Sequence, residues 1–117
     1  FNILKKTIKR CKQVGLKTLV FASSLSEAKK IKKLKPTYLV IEPPELVAGK
    51  ISISKAKPEL IKNIAKKLKC KFLVGAGIHT KEDVNIVLKL GASGIAVSSA
   101  ITKVRNPAKK LRELIRW

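Results

Sequence analysis

Glu42 is the residue of this 117-residue chain whose type and position most directly indicate chemistry. It follows the apolar run 38–41 and precedes two prolines, so its carboxylate is held at the end of a buried segment and partly removed from water. A carboxylate in that environment can act as a general base near neutral pH. Position alone also allows a strand-end acid that caps a helix or pairs with a lysine.

Two later segments have the composition of a phosphate site. Gly75-Ala76-Gly77 ends an apolar run, and its two glycines allow a ligand to approach the backbone closely because they carry no Cβ atom. Ser98-Ser99-Ala100 follows another apolar run and leaves the first amides of a short helical turn accessible to an anion. Together these two loops predict a site for a phosphate dianion.

The loop 43–54 is long for a connection between a strand and its helix. Two prolines stiffen its start and Ala48-Gly49 allows it to bend, so it has the properties of a lid that closes over a carboxylate base. An ordinary surface loop is the alternative. The single histidine, His79, is interpreted as a solvated loop residue. Cys11 and Cys70 are too few for a disulfide scaffold and fit no metal spacing, which favours a reduced cytoplasmic protein without a metal.

The elements that must position these loops follow from the apolar pattern. Four short runs predict strands: Thr18–Ala22, with the signature of a strand buried on both faces, Tyr38–Ile41 as a second buried strand, and then Phe72–Val74 and Gly94–Val97. Capping residues or prolines predict the start of the intervening helices: Ser24 with Glu27, Pro58, Thr80 with Asp83, and Asn106-Pro107. Alternating strands and helices predict a parallel sheet with right-handed crossovers.

The predicted fold class is therefore α/β, with four parallel strands each followed by a helix. A full (β/α)8 barrel takes roughly 250 residues, so four such units correspond to half of one. We expect residues 1–117 to form a single partial domain.

The chain carries 27 Lys and Arg against 7 Asp and Glu, a formal charge of +20. Its lysines fall on the predicted outer faces of helices, and aromatic residues are only 4%, which argues against a stacking surface for nucleic acid. No apolar run approaches the roughly 20 residues of a membrane span. We expect neither nucleic acid nor membrane as a partner. A non-catalytic half-barrel that binds nucleic acid through its lysines, or a second copy of itself, is kept as an alternative.

Four segments in this order and spacing resemble archaeal-type triosephosphate isomerase, and the resemblance covers essentially the whole chain. They are residues 38–47 (YLVIEPPELV), 54–59 (SKAKPE), 75–78 (GAGI) and 94–99 (GIAVSS). The first two are quite specific, whereas GAGI is shared with many phosphate-binding barrels. Another phosphate-binding barrel enzyme, such as a synthase of tryptophan or thiamine biosynthesis, is the alternative within the enzymes.

The resemblance implies a role for each candidate residue. Glu42 matches the catalytic base, which moves a proton between C1 and C2 of dihydroxyacetone phosphate and glyceraldehyde 3-phosphate through an enediol. Val47 matches a substrate contact on the lid, Gly77 a phosphate-binding glycine, and Ser98 and Ser99 a backbone phosphate site. The resemblance implies no cofactor and no metal, and a small phosphorylated triose as the substrate.

Departures from the family pattern concern both the lid and the extent of the chain. Ala48-Gly49-Lys50 stands where the family has Gly-Thr-Gly, and Ser98-Ser99-Ala100 where it has Ala-Ser-Gly. The family's lysine and asparagine on the first strand and its histidine electrophile belong to an N-terminal half. The chain therefore corresponds to the C-terminal half, and we expect it to be inactive alone. We expect the full-length protein to be a homo-oligomer.

Overall fold

The computed structural model describes residues 1–47 and 51–115, without the side chains of Glu45 and Ser54. Strands and helices alternate along this part of the chain. They are α1 (Asn2–Gln13), β1 (Leu19–Ala22), α2 (Leu25–Lys32), β2 (Tyr38–Ile41), a 3₁₀ turn (Pro44–Leu46), α3 (Ile53–Ala56), α4 (Pro58–Leu68), β3 (Leu73–Val74), α5 (Lys81–Lys89), β4 (Gly94–Ile95), α6 (Ser99–Thr102) and α7 (Pro107–Ile115).

The four strands form one sheet in the order β1-β2-β3-β4, and every neighbouring pair is parallel. Each strand is followed by at least one helix. The predicted fold class is confirmed: the chain has the architecture of half of a (β/α)8 barrel. β1 and β4 are the two edges of this sheet.

The local signals for helix starts are also confirmed. The Ser24 side chain accepts a hydrogen bond from the Glu27 amide at the start of α2, and Pro58 is the first residue of α4. Thr80 and Asp83 form a reciprocal capping box at the start of α5. These caps satisfy amides that have no partner within the first turn of a helix.

Strands β3 and β4 are shorter than predicted, with two residues each in place of 72–74 and 94–97. The ladder nevertheless continues beyond both ends of the pair. The Ser93 amide donates to the Phe72 carbonyl at 2.8 Å, and the Ala96 amide donates to the Val74 carbonyl at 2.9 Å. The sheet therefore carries its hydrogen bonding up to the loops that follow β3 and β4.

The strand register separates the sheet into two faces. Ala22, Ile41, Val74 and Ile95 share one row, and this side packs against the helices in the main apolar core; we call it the packed face. The next row belongs to the opposite side, the open face, and consists of Phe21, Val40, Leu73 and Gly94. In a barrel the open face points inward.

The prediction that the strands are buried on both faces is wrong for β1 and for the start of β2. Leu19 is 47% exposed, Phe21 44% and Tyr38 45%, and all three lie on the open face. The physical reason is that these side chains lie at or next to the edge strand β1, where no helix covers the open face, whereas Val40 further along the central strand β2 is fully buried. The side chains on its other face, Val20 and Ala22, are buried as predicted.

The helix faces that point away from the sheet carry the basic residues. The lysines predicted on outer faces of α2 and α4 and just beyond them are all exposed: Lys29, Lys30, Lys32, Lys33, Lys62, Lys66, Lys67 and Lys69. None of the helices in the described part of the chain is long and apolar enough to cross a membrane.

Candidate active site

The sheet places three residues in one row just beyond the carboxyl ends of its strands. The Glu42 amide donates to the Ala22 carbonyl, the Gly75 amide to Ile41 and the Ala96 amide to Val74, at 2.8 to 2.9 Å. Since side chains alternate between the faces of a strand, Glu42, Gly75 and Ala96 continue the open face. The candidate base therefore stands beside two residues with little or no side chain.

The half-buried Glu42 carboxylate lies against Gly75. A Cβ atom added at Gly75 would lie 3.3 Å from Glu42 Oε1 and 2.6 Å from Val40 Cγ1. Glycine at this position thus leaves the space that the carboxylate and its neighbour occupy. Pro43, directly after Glu42, is fully buried, which holds the backbone of the candidate base in place.

Both the backbone conformation and the lack of free space at position 77 require a glycine. Its φ angle is +66°, a region that favours glycine, and an added Cβ atom would collide with the backbone nitrogen of Ile53. The Ile53 amide donates to the Gly77 carbonyl at 3.0 Å. The loop after β3 is therefore in direct backbone contact with the segment that begins α3.

Ser98 and Ser99 lie where β4 leads into the single turn α6. The Ser98 carbonyl accepts from the amides of Ile101 and Thr102, both at 2.9 Å, and Ser98 is exposed whereas Ser99 is half-buried. The predicted short helical turn after the fourth strand is confirmed. It brings both serines to the same end of the sheet as Glu42.

The loops after β2, β3 and β4 line one open cavity of about 270 Å³, which we call the cleft. All five residues predicted as site residues line it: Glu42, Val47, Gly77, Ser98 and Ser99. Val47 stands at its rim and is 50% exposed. The rest of the predicted lid, Ala48-Gly49-Lys50, lies outside the described residues.

Two further polar residues of the cleft, Lys103 and His79, were not predicted as site residues. Lys103, an exposed residue directly after α6, lines the cleft together with the two serines. A lysine at this place can attract a phosphorylated ligand. In the sequence, Lys103 follows the Ser98-Ser99-Ala100 loop by three residues. It could not be singled out because the chain has 27 Lys and Arg residues.

His79 also lines the cleft, and its interpretation as a solvated residue is wrong. The side chain is half-buried, and its Nε2 atom is fully buried without a hydrogen-bond partner among the described residues. The residue lies in the short turn between Ile78 and α5, where its amide donates to Asp83 Oδ2 at 3.0 Å.

The described residues contain no group of three or more His, Cys, Asp or Glu side chains that could hold a metal ion. Among the described residues that line the cleft, Glu42 carries the only carboxylate. Its neighbours in the cleft are small residues, apolar residues, one histidine and one lysine.

The fold and this cleft define an α/β chain with its candidate chemistry at the carboxyl ends of parallel strands. The family model described as "Histidine biosynthesis protein" matches residues 23–115. The chain belongs to this family.

Curated relatives confirm the resemblance to archaeal-type triosephosphate isomerase. The triosephosphate isomerase of Methanocaldococcus jannaschii is 37% identical over 119 residues, 97% of this chain and 54% of the relative. The triosephosphate isomerase of Thermoplasma volcanium is 40% identical over 94% of this chain and 53% of the relative. The chain spans about half the length of these curated relatives.

Solved structures agree with the half-barrel. A thiamine phosphate pyrophosphorylase from Pyrococcus furiosus superposes with a TM-score of 0.68 at 27% identity, over 92% of this chain and 52% of the other. The tryptophan synthase A-subunit of Pyrococcus furiosus superposes with a TM-score of 0.74 at 23% identity, over 96% of this chain and 50% of the other. The second likeness shows the fold alone.

Proposed function

We propose that this chain is the C-terminal half of a triosephosphate isomerase and that Glu42 is its catalytic base. The observation that carries the proposal is the position of Glu42 in a cleft that also contains Val47, Gly77, Ser98 and Ser99. These five residues come from three separate loops. The relatives named triosephosphate isomerase support the reaction.

In this proposal Glu42 accepts a proton from C1 of dihydroxyacetone phosphate and returns it to C2 of the enediol, which yields glyceraldehyde 3-phosphate. The open face beside Gly75 gives the carboxylate room to serve both carbons. Backbone groups of Gly77, Ser98 and Ser99 hold the phosphate at the other side of the cleft. Val47 contacts the substrate from the lid.

The substrate carbonyl also needs a group that polarises it and stabilises the enediolate. The resemblance assigns this task to a lysine and a histidine outside the matched half. His79 lies on the wrong loop to replace that histidine, since it follows the Gly77 loop directly. We therefore infer that the intact protein, and not this chain alone, catalyses the reaction. The reaction would belong to glycolysis and gluconeogenesis in the cytoplasm.

The test is the isomerase activity of the intact protein with Glu42→Gln, which keeps the shape of the side chain and removes the base. Loss of a general base lowers the rate by about 100- to 10,000-fold, and we expect a fall in kcat of that size. Glu59→Gln is the matched control, because Glu59 is exposed in the first turn of α4 and outside the cleft. A Glu42→Gln variant with full activity would contradict the proposal.

The family match favours a second candidate, another enzyme that binds a phosphorylated substrate in the same cleft. It shares the phosphate loops at Gly77 and Ser98-Ser99 but requires no base at Glu42. In that case Glu42→Gln would leave the protein's reaction intact, and the intact protein would not interconvert the two triose phosphates. The same pair of assays therefore separates both candidates.

A further inference from the structure

Acidic residues are concentrated at one end of the sheet. Six of the seven Asp and Glu residues lie at its carboxyl end, either in the loop after β2 or in the first turn of a helix. The seventh is Glu113, in α7, whose carboxylate lies 4.0 Å from Lys110 Nζ. The cleft and most acidic groups therefore share one end of the molecule. The six residues are Glu27, Glu42, Glu45, Glu59, Glu82 and Asp83.

The opposite end of the sheet, which we call the basic end, consists of the four connections from a helix to the next strand. These are residues 14–18, 33–37, 69–72 and 90–93. The last helical turns before them carry two basic residues in α1, three in α2, two in α4 and one in α5. Neither these turns nor the connections contain an Asp or Glu. Five lysines lie in the connections themselves, and all are exposed: Lys17, Lys33, Lys35, Lys69 and Lys71.

Hydrogen bonds join the four connections into one surface. The Lys12 Nζ atom donates to the Leu34 carbonyl at 3.1 Å, which links the ends of α1 and α2. The Lys32 Nζ atom donates to the Leu68 carbonyl at 2.6 Å, which links the ends of α2 and α4. Parallel pairing of β3 with β4 brings the fourth connection alongside the third. The cations of the basic end therefore form one continuous surface.

Two of the connection lysines adopt a backbone conformation that favours glycine. The φ angle is +53° at Lys35 and +48° at Lys69, and these are the only non-glycine residues with a positive φ in the described part of the chain. The connections after α1 and α5 have a glycine with a positive φ instead, Gly15 and Gly91. A left-handed conformation is less favourable for a residue with a Cβ atom than for glycine. Lysine therefore stands at positions 35 and 69 at a cost in stability.

Stabilisation of the helix ends does not account for all of these cations. A cation at the C-terminal end of a helix interacts favourably with the last carbonyls, and Lys12 and Lys32 act in this way. The effect falls off within the last turn of the helix. Lys17, Lys35 and Lys71 lie at least three residues beyond the ends of their helices. These lysines are therefore available to a ligand.

A continuous surface of exposed lysines without acids attracts a polyanion with closely spaced charges. Double-stranded DNA carries about one negative charge per 1.7 Å of helix axis, and lysines contact its phosphates independently of sequence. The expectation from the sequence that nucleic acid is no partner rests on the scarcity of aromatic rings for stacking. That argument applies to single strands and not to a duplex, whose bases are already stacked on one another.

We propose that the basic end binds double-stranded DNA through its phosphates and without sequence preference. The connection lysines supply the contacts, and Lys35 and Lys69 take part in spite of their unfavourable backbone conformation. The surface lies at the end of the sheet opposite to the cleft, and none of its five connection lysines lines the cleft. The proposal is therefore independent of the proposed function.

The first test is the salt dependence of DNA binding by the intact protein, measured by fluorescence anisotropy. The probe is a labelled duplex of mixed sequence and about 20 base pairs, longer than the 38 Å extent of the chain. Five phosphate contacts give a slope of log affinity against log salt of about −4.5, so we expect Kd to weaken by about 500-fold or more between about 50 and 200 mM salt. For Lys35→Gly combined with Lys69→Gly we expect a slope less steep by about 2.

Two matched variants control for the charge itself. Lys81→Gln combined with Lys109→Gln also removes two exposed lysines, but from the starts of α5 and α7. We expect its slope to stay within about 0.5 of the parent. Lys35→Arg combined with Lys69→Arg keeps both charges at the basic end, and we expect it to keep the parent's slope as well.

The second test is urea unfolding of the glycine variant without DNA, which separates DNA binding from stabilisation of the helix ends. We expect the midpoint of unfolding to rise, because glycine adopts the left-handed conformation at positions 35 and 69 more readily than lysine. The same variant would then be more stable than the parent and bind DNA more weakly.

An unchanged slope in the glycine variant would overturn the proposal, and a lower midpoint of unfolding with unchanged DNA binding would assign both lysines to the helix ends. An equal change of slope in the Lys81 and Lys109 control would overturn it too, because net charge alone would then attract the DNA. Tighter binding to vesicles of anionic phospholipid than to the duplex would assign the basic end to a membrane surface instead. Loss of isomerase activity, by contrast, would bear only on the proposed function.

Discussion

The packed and open faces of the sheet differ sharply in how completely this chain covers them. On the packed face Ala22, Ile41 and Val74 are between 0 and 1% exposed and belong to a core shared with the helices. On the open face Leu19 and Phe21 remain 47% and 44% exposed, although they belong to the same strand as Ala22. The difference in exposure therefore comes from the helices that cover the packed face and not from the sequence of the strands.

The candidate site lies at the carboxyl end of the open face. Glu42, Gly75 and Ala96 extend the open face at its carboxyl end, and all three line the cleft. The curated relatives are about twice as long as this chain. Under the proposed function, a second set of strands over the open face would bury the exposed side chains and supply the rest of the site.

The largest expected effect is a loss of stability that differs between side chains truncated on the packed face and on the open face. Ile41→Ala opens a cavity in the packed face, and we expect it to lower the free energy of unfolding by about 2–5 kcal/mol both in the isolated chain and in the intact protein. Phe21→Ala lies on the open face, and in the isolated chain we expect a loss below about 1 kcal/mol. In the intact protein we expect about 3–5 kcal/mol, because the ring would be covered.

Urea unfolding of both variants in both proteins measures these differences. The informative quantity is the change for Phe21→Ala between the isolated chain and the intact protein, with Ile41→Ala as the internal control. If Phe21→Ala cost equally little in both, the open face would be exposed in the intact protein too, and the half-barrel would not be completed over this face.

The next effect compares two glycines whose missing side chains would point to the open face. An alanine at Gly75 would press on Val40 and on the Glu42 carboxylate, whereas one at Gly94 would meet only the flexible end of Leu73, at 3.0 Å. We expect Gly75→Ala to lower kcat/KM of the intact protein by up to about 100-fold, since small displacements of a reacting group are costly. We expect Gly94→Ala to change it by less than about threefold.

Both variants add the same methyl group, so their unfolding curves separate a general loss of stability from a displaced base. Overpacking costs about 1–3 kcal/mol, and we expect that range for Gly75→Ala. Equal kinetics of the two variants would show that the space at Gly75 does not serve Glu42.

Much of this arrangement could be predicted from local sequence. The apolar run 38–41 with Glu42 behind it, the cap at Thr80 and Pro58 at the start of α4 act over a few residues, and all three are placed as predicted. The exposure of Phe21 could not be predicted, because a continuous apolar run says nothing about which face has a partner.

The long-range contacts were also beyond a local pattern. Ser52 meets Asp83 across 31 residues, and the three-residue spacing of Thr80 and Asp83 that predicts a cap gives no indication of the partner of the second carboxylate oxygen. Lys103 enters the cleft because α6 is a single turn that ends beside the serines. His79 likewise lies in the cleft, and its amide is bonded to the buried Asp83.

The smallest expected effect concerns a helix that covers the packed face. The hydrogen bond from the Ser23 amide, followed by that from the Ser23 hydroxyl, holds the pKa of Glu27 below its ordinary value of 4.5. A carboxyl group with a lowered pKa in the folded state stabilises that state above its unfolded pKa, and this contribution is lost as the pH falls through the folded value. Because Glu27 is exposed, solvent screens the effect, and we expect it to stay below about 1 kcal/mol.

Glu27→Gln should therefore reduce the free energy of unfolding at pH 7 and have a smaller effect well below pH 4.5, where Glu27 is protonated in the parent as well. Unfolding by urea at both pH values measures this difference. Glu82→Gln, the same change in the first turn of α5, is the control for a general loss of acidic charge. An equal effect of Glu27→Gln at both pH values would mean that the side chain stabilises α2 through shape and not through its charge. Protonation of Glu27 would then not change the stability of α2, one of the helices that cover the packed face.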